Sequence, residues 1–405
     1  MRCGLLGETL GHSYSPMIHG LLADYEYRLF EVPKDGLDAF LKSDGWDGLN
    51  VTIPYKKAVV PYCAELSEAA ETLQSVNTIV RRPDGTLYGD NTDLAGFFHM
   101  VRRSGIDPAG KKALVLGSGG ASVTVKAALE QLGASVTVIS RNGADNYENL
   151  DRHADAQIIA NTTPVGMYPH NGAAAVDLTQ FPHCEGVLDI VYNPARTALL
   201  LQAESLGIPC AGGLSMLVAQ AKRAAELFTG AIIDDGALDR VERTVSHRLR
   251  NIILIGMPGS GKTTVAHALG EVLEREVVEA DALIAEKAGM SIPDIFAQRG
   301  EAGFRSLETE VLTEQGKRSG IILSTGGGCV TRPENYPLLH QNGIIIRLER
   351  ALDKLPTQGR PISQTTELAR LYAQRKPLYD RFADVTISND GALADTLNAI
   401  MEGYQ

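Results

Sequence analysis

No stretch of the 405-residue chain comes near the roughly eighteen uninterrupted apolar residues that a membrane-spanning helix requires. The N-terminus, Met1-Arg2-Cys3-Gly4, leads into a strand-like run and a turn instead of the apolar core of a signal peptide, so a cytoplasmic protein with no membrane partner is expected. Cysteine is scarce: Cys3, Cys63, Cys184, Cys210 and Cys329 are odd in number, scattered and form no CxxC pair, which argues against a disulfide framework and a zinc site. A long basic run is also missing. With 38 basic against 49 acidic residues and a formal charge of -11, a general nucleic-acid binder is excluded, and any anionic ligand must be held by a few placed cations. There is no Pro- or Gly-rich spacer, no repeat, and no low-complexity tract longer than Gly172 to Ala175. What remains, 44% hydrophobic and 21% charged residues, is ordinary for globular proteins, and the length predicts two to four domains at roughly 100 to 200 residues each.

Strand-type apolar runs alternate with helix-period segments almost throughout, as in Lys112 to Leu116, Ala121 to Gly133 and Ser135 to Ile139. That rhythm predicts an α/β fold with parallel sheets covered by helices. A strand, a glycine turn and a helix start afresh twice, at Ala113 to Ala121 and at Asn251 to Thr264, which points to two nucleotide sites of different kinds. Between them, Ile232 to Arg250 is charged and reads as a poor core segment. The main boundary is placed near residue 246, giving domains 1–245 and 246–405 joined by a helix or short loop.

In the second domain, Gly256-x4-Gly261-Lys262-Thr263 fits the P-loop pattern GxxxxGK[ST] between a β-branched run and an amphipathic helix. Backbone amides of Gly259, Ser260 and Gly261 curl around phosphate oxygens, Lys262 reaches the outer phosphates, and Thr263, followed by Thr264, offers a hydroxyl to Mg²⁺. Glu279-Ala-Asp281 ends the next strand, where a carboxylate would take an acceptor hydroxyl proton. Phe304-Arg305-Ser-Leu-Glu308, Gly326-Gly327-Gly328, Gly359-Arg360-Pro361 in a polar, lid-like stretch, and Arg375-Lys-Pro-Leu-Tyr379 follow. Singly, each has a plain structural reading, such as a surface i,i+3 pair for Arg305 and Glu308. In this order, from Arg250 to Asn389, they resemble shikimate kinase, a small P-loop kinase of the nucleoside-monophosphate-kinase type. The resemblance implies ATP and Mg²⁺ as cofactors, Asp281 on the acceptor hydroxyl, Arg305 and Arg375 on the shikimate carboxylate, Gly327 as a backbone contact, and Arg360 on the ATP phosphates. Glu279 stands where the family usually has an Asp that helps place Mg²⁺, and Asp390 where an arginine often lies near the adenine.

In the first domain, Gly117-Ser118-Gly119-Gly120-Ala121 turns from a strand into a helix, as at a dinucleotide pyrophosphate site. The following strand ends in Ser140-Arg141-Asn142; a cation there, with no acid for a ribose hydroxyl, favours NADP over NAD. Reducing a ketone with a nicotinamide hydride needs a proton donor, and a lysine beside an aspartate supplies one. Spacing alone does not bring Lys56 to Asp93; read singly, they are a surface lysine and a helix-capping aspartate. The motifs HSxSP from His12, NVTxPxK, VNT, NTDxxG, GxGGA, SRN, NTTPVGM, DIVYNPxxTxLL and GGLSMLVAQ to Gln220 occur in the order seen in shikimate dehydrogenase. That resemblance implies Lys56 and Asp93 as the catalytic pair; Ser13, Ser15, Thr52, Asn77, Tyr192 and Gln220 on 3-dehydroshikimate; and Gly117 to Ala121, Ser140 to Asn142, Ile190 and Gly213 at NADP(H). His12 is kept as a turn residue. His19-Gly20 replaces the frequent His-Asn and is expected to soften the helix start.

Together the resemblances imply a bifunctional enzyme whose first half, a substrate lobe (1–95 plus 212–235) and a Rossmann NADP lobe (96–211), makes shikimate, and whose second half phosphorylates it with ATP. Two alternatives stay open: a quinate or shikimate dehydrogenase joined to a kinase of another polyol acid, and a kinase-like half that only binds nucleotide. Oligomeric state is left open.

Overall fold

A computed structural model describes residues 1–11, 13–355 and 365–404. By internal contacts the chain divides into two compact units, Met1–Val245 and Ser246–Gln405. Among the described residues, no helix is long and apolar enough to cross a membrane.

The first unit holds two sheets. The first comprises β1 (Arg2–Gly7), β2 (Glu26–Glu31), β3 (Gly48–Val51), β4 (Glu65–Leu66), β5 (Thr78–Arg81) and β6 (Leu87–Asp90), in the order β2-β1-β3-β5-β6-β4. β5 runs antiparallel to both neighbours, so the end of β3 and the start of β5 lie side by side, with Asn50 opposite Thr78. This register gathers two polar motifs that are distant in sequence.

The second sheet, entirely parallel, comprises β7 (Lys112–Leu116), β8 (Ser135–Ile139), β9 (Ile158–Asn161), β10 (Gly186–Asp189) and β11 (Cys210–Gly212), in the order β11-β10-β9-β7-β8. Its order reverses between β7 and β9, and in open α/β sheets ligands bind beyond the strand ends at such a switch point. β7 shows why it sits at the centre. Ala113 and Val115 pack into one apolar cluster, Leu114 and Leu116 into another, so both faces are covered. Leu114, Val115 and Leu116, all fully buried, each contribute about 2 kcal/mol by burial.

Two helices, Thr92–Ser104 and Leu214–Thr229, pack on each other. A Cβ on Gly96 would lie 2.6 Å from the Met216 carbonyl, so that contact requires glycine. The first of these helices crosses the 95/96 position where the sequence places the lobe boundary. Gly236–Leu249 is a helix, one of the two connections the sequence allows there, but it departs from the poor core segment read from its charge by burying Ala237, Leu238, Val241 and Val245 along one face. Four small or branched residues at helical spacing suffice for a packed stripe, and composition hides them.

The second unit has one parallel sheet of β12 (Asn251–Ile255), β13 (Val277–Glu279), β14 (Ile322–Ser324), β15 (Gly343–Glu349) and β16 (Val385–Ser388), in the order β13-β14-β12-β15-β16. β12 is buried along its whole length, with Ile253 and Ile255 feeding one core cluster and Ile252 and Leu254 the other. The P-loop therefore leaves the middle of the sheet, with β13 and β14 on one side and β15 and β16 on the other.

Candidate active sites

Lys56 lies in the turn after β3 and Asp93 in the first turn of Thr92–Ser104. Their side chains meet, Lys56 Nζ donating to Asp93 Oδ2 at 2.5 Å. Both are mostly shielded from solvent, and the Lys56 carbonyl is itself fixed by the Val76 amide at 2.8 Å. Beside them, buried Asn77 Oδ1 accepts from the Thr92 amide (2.7 Å), the Thr92 hydroxyl (3.1 Å) and the Thr78 hydroxyl (3.2 Å). The Thr92 hydroxyl also reaches Gln220 Oε1 at 3.4 Å, and Gln220 Nε2 donates to the Leu217 carbonyl. Asn50 Nδ2 donates to Thr78 Oγ1 at 3.1 Å, and Asn50 Oδ1 accepts from Tyr27 OH at 2.8 Å. Thr92 thus ties Asn77 to Gln220, and Thr78, Asn50 and Tyr27 extend the same network. Tyr27 carries no motif signal, while Asn50 and Thr78 lie inside the motifs without an assigned role.

Other expected residues have local partners of their own. The Thr52 amide donates to Leu6 O at 2.9 Å, and the Ser15 amide donates to Ser13 Oγ at 3.2 Å. The Tyr192 ring packs at 5.2 Å from Tyr14, and burial pushes its phenol above the usual range. His12 lies outside the described residues. Gly20 sits within the helix Ser15–Leu22, not at its start, and a Cβ there would meet open space; His19 is buried and stacked on Tyr27 at 4.0 Å.

The glycine turn after β7 is built for close approach. Gly117 has φ +104°, its amide donates to Ile139 O, and a Cβ would press on Thr162 and Thr163. A Cβ on Gly119 or Gly120 would meet nothing within 4 Å, so the open side of the turn faces space at the switch point. Ser118 is exposed there and Ala121 half-buried. At the end of β8, the Ser140 amide donates to Asp145 O, and Arg141 and Asn142 are exposed. Gly213 lies against Ile190, whose carbonyl would sit 2.1 Å from any Cβ. These residues fit a dinucleotide phosphate group and a ribose 2′-phosphate.

Asp189, given no role by the sequence, is wholly buried at the end of β10. It accepts from Asn161 Nδ2 (3.0 Å), the Val191 amide (3.0 Å) and the Thr197 hydroxyl (2.8 Å), joining the NTTPVGM and DIVYNP loops. Burial pushes its carboxyl up to about 6 against those hydrogen bonds.

In the second unit, Gly256, Gly259 and Gly261 have φ of +147°, +85° and +92°, the conformations that aim successive amides inward. Buried Lys262 donates to the Gly256 and Met257 carbonyls at 3.0 and 3.1 Å. Asn389 Nδ2 braces the loop through Ser260 O at 2.7 Å, and the buried Ser260 hydroxyl has no partner among the described residues. Thr263 and Thr264 are exposed at the helix start. Asp390, where the family often has an arginine, instead accepts from the Ala351 amide at 2.9 Å.

Arg305 and Glu308 are not a surface pair. Both are buried in Ile292–Gly316, with Arg305 Nη1 donating to Glu308 Oε2 at 2.8 Å. Burial raises the Glu308 carboxyl above its usual range, partly offset by Arg305, and neither Glu308 Oε1 nor Arg305 Nε has a partner among the described residues. The three glycines give this pair and Asp281 room: a Cβ on Gly326 would lie 2.8 Å from both Asp281 Oδ1 and Glu308 Oε1, and one on Gly328 2.0 Å from Arg305 Nη2. Gly327 O accepts from Arg375 Nη1 (3.0 Å) and Tyr379 OH (2.5 Å). Arg305, Arg375, Gly327 and Asp281 thus gather on the β13–β14 side of the P-loop. Arg360 lies outside the described residues.

The family model for shikimate kinase matches residues 258–404, and that for the shikimate dehydrogenase substrate binding domain matches residues 5–79. An NADP(+) shikimate dehydrogenase of Clostridium perfringens is 36% identical over 260 residues, covering 59% of this chain and 96% of that relative. The chain belongs to the shikimate dehydrogenase family and carries a shikimate kinase domain. Among solved structures, a chorismate mutase/shikimate 5-dehydrogenase fusion protein from Clostridium acetobutylicum is 35% identical, with a TM-score of 0.57 over 60% of this chain and 96% of that one. The shikimate 5-dehydrogenase of Thermus thermophilus, in complex with NADP(H) and shikimate, is 30% identical, with a TM-score of 0.55 over 60% of this chain and 99% of that one.

Proposed function

We propose that this chain catalyses two successive steps of the shikimate pathway toward chorismate and the aromatic amino acids: NADPH-dependent reduction of 3-dehydroshikimate to shikimate, then ATP-dependent phosphorylation of the shikimate 3-hydroxyl. The observation that carries this reading is the coexistence in one polypeptide of the Lys56–Asp93 pair within the dehydrogenase segment and a P-loop with its acceptor-side arginines within the kinase segment.

Bound NADPH supplies the hydride. Lys56 Nζ gives a proton to the ketone oxygen as it becomes an alcohol and is left as the neutral amine, and Asp93, 2.5 Å away, stabilises the ammonium form before the transfer and again once solvent returns the proton. Asn77 has Oδ1 committed to Thr92 and Thr78, which leaves its Nδ2 for a substrate oxygen. Ser13, Ser15, Thr52, Tyr192 and Gln220 complete the grip on hydroxyls and carboxylate. Arg141, exposed and cationic, suits the 2′-phosphate of NADP.

In the kinase half, Asp281 orients the shikimate hydroxyl and accepts its proton. The new O–P bond forms as the bond to ADP breaks, while Lys262 and the P-loop amides hold the phosphates. Arg305 and Arg375 hold the shikimate carboxylate, for which planar guanidinium groups are suited. Arg360 is assigned to the transferring phosphates and Thr263 to Mg²⁺ from their motifs. The reading is tested on each half separately: NADPH oxidation that requires 3-dehydroshikimate, and ADP release that requires shikimate. Failure of either assay removes that half of the proposal.

A further inference from the structure

Thr263 and His267 lie four positions apart on the helix Lys262–Leu273, which opens directly behind the P-loop, and therefore share a face. Both address one carboxylate. Thr263 Oγ1 donates to Glu279 Oε2 at 3.3 Å, and His267 Nε2 meets Glu279 Oε1 at 2.8 Å. An ionised carboxylate has only acceptor atoms, so the ring nitrogen facing it carries the hydrogen. Glu279 is the N-cap residue of the helix that follows β13, and its side chain makes no capping hydrogen bond there. A glutamate free to rotate must give up rotamer freedom to be held in one place. A single helix face holds it by both oxygens.

We propose that His267 is a positioning residue for the kinase metal site: by fixing one oxygen of Glu279 it presents the other to Thr263, the hydroxyl that a P-loop offers to Mg²⁺. The inference rests on the kinase reading of this site. The donor set fits that ion, because Mg²⁺ takes hard oxygen ligands and uses few from the protein, the rest being water and phosphate. A Thr263 hydroxyl whose proton points at Glu279 turns its lone pairs elsewhere, toward an incoming cation. The longer side chain that replaces the family's aspartate thereby comes with its own restraint. Without this role, the His267–Glu279 contact would be an exposed pair with little energetic consequence.

The test is isothermal titration calorimetry of ADP into the full-length chain over a series of Mg²⁺ concentrations, with Mn²⁺ binding followed by electron paramagnetic resonance. His267 is on an exposed helix position, where alanine is a better helix former, so His267→Ala is expected to fold. It should raise the Mg²⁺ concentration for half-maximal tight ADP binding roughly tenfold, the lower end of losses typical when an outer-sphere partner is removed. Metal-free ADP binding should not change. His267→Gln, which restores an N–H donor, should recover much of the loss, and His267→Ala placed on Glu279→Ala should add nothing further. An unchanged Mg²⁺ requirement in His267→Ala overturns the proposal, as does a shift that persists without Glu279. Shikimate-dependent ADP release by the unaltered chain reports separately on the kinase reading, and the ADP–Mg²⁺ titration decides on His267 in either case.

Discussion

Asp189→Asn should abolish a pH dependence that the fold imposes on the first unit. The carboxyl is fully buried, and burial outweighs three hydrogen bonds to shift it from 3.8 to about 6. Between those values the folded protein retains a proton that the unfolded chain has released. Stability therefore falls as pH rises through this window, and the full cost is present above pH 6. About two units at about 1.4 kcal/mol each give roughly 3 kcal/mol. Asparagine has the same shape and no charge; its Oδ1 keeps the Asn161 and Val191 donors, while its Nδ2 meets the Thr197 hydroxyl, which must turn at a cost of about 1 kcal/mol. The variant should be slightly less stable than the parent near pH 4 and more stable by about 2 kcal/mol at pH 7. Urea unfolding followed through Trp46, the single tryptophan and buried in the same unit, reads this directly. A stability difference that stays constant from pH 4 to 7 would refute the reasoning, because it would mean that Asp189 carries no uncompensated burial cost.

Asp93→Asn leaves Lys56 facing a neutral group and should lower the dehydrogenase kcat by roughly 100-fold or more with KM changed little, as steady-state NADPH oxidation would show; a loss under about 3-fold would count against the pair. Arg141→Asp should raise the KM for NADPH at least about tenfold while NADH is used as well or better, and unchanged preference would remove Arg141 from the 2′-phosphate site. Gly328→Ala places a Cβ within 2.0 Å of Arg305 Nη2 without straining the backbone, since φ is -111°. It should displace the guanidinium from Glu308 and raise the KM for shikimate roughly tenfold, leaving ATP and the dehydrogenase rate near normal; an unchanged KM would show that Arg305 does not touch the acceptor.

The alternating rhythm of the chain, the P-loop and the glycine turn after β7 were legible because each is local: a strand, a bend and a helix within about fifteen residues carry their own signal. Other features depend on register and burial. Lys56 reaches Asp93, and Asn77 reaches Thr92, only because β3, β5 and the helix after β6 converge, which no spacing encodes. Arg305 and Glu308 look the same in sequence whether they face solvent or the interior, and their burial becomes visible only with the packing of Ile292–Gly316. Tyr379 and Arg375 share the Gly327 carbonyl across 52 and 48 positions. The charged helix Gly236–Leu249 misled because four buried residues carry its packing while the composition reports all of its exposed ones. Asp189 carries no signal of its role in the sequence because its importance lies in the burial and the three donors that surround it.

The most direct test of the central claim is mass spectrometry of the products formed when the purified chain is incubated with 3-dehydroshikimate, NADPH, ATP and Mg²⁺. Shikimate 3-phosphate should appear only when both NADPH and ATP are present, with shikimate accumulating when ATP is left out. Shikimate without its phosphate in the complete mixture would contradict the kinase half, and the absence of both products would contradict the account as a whole.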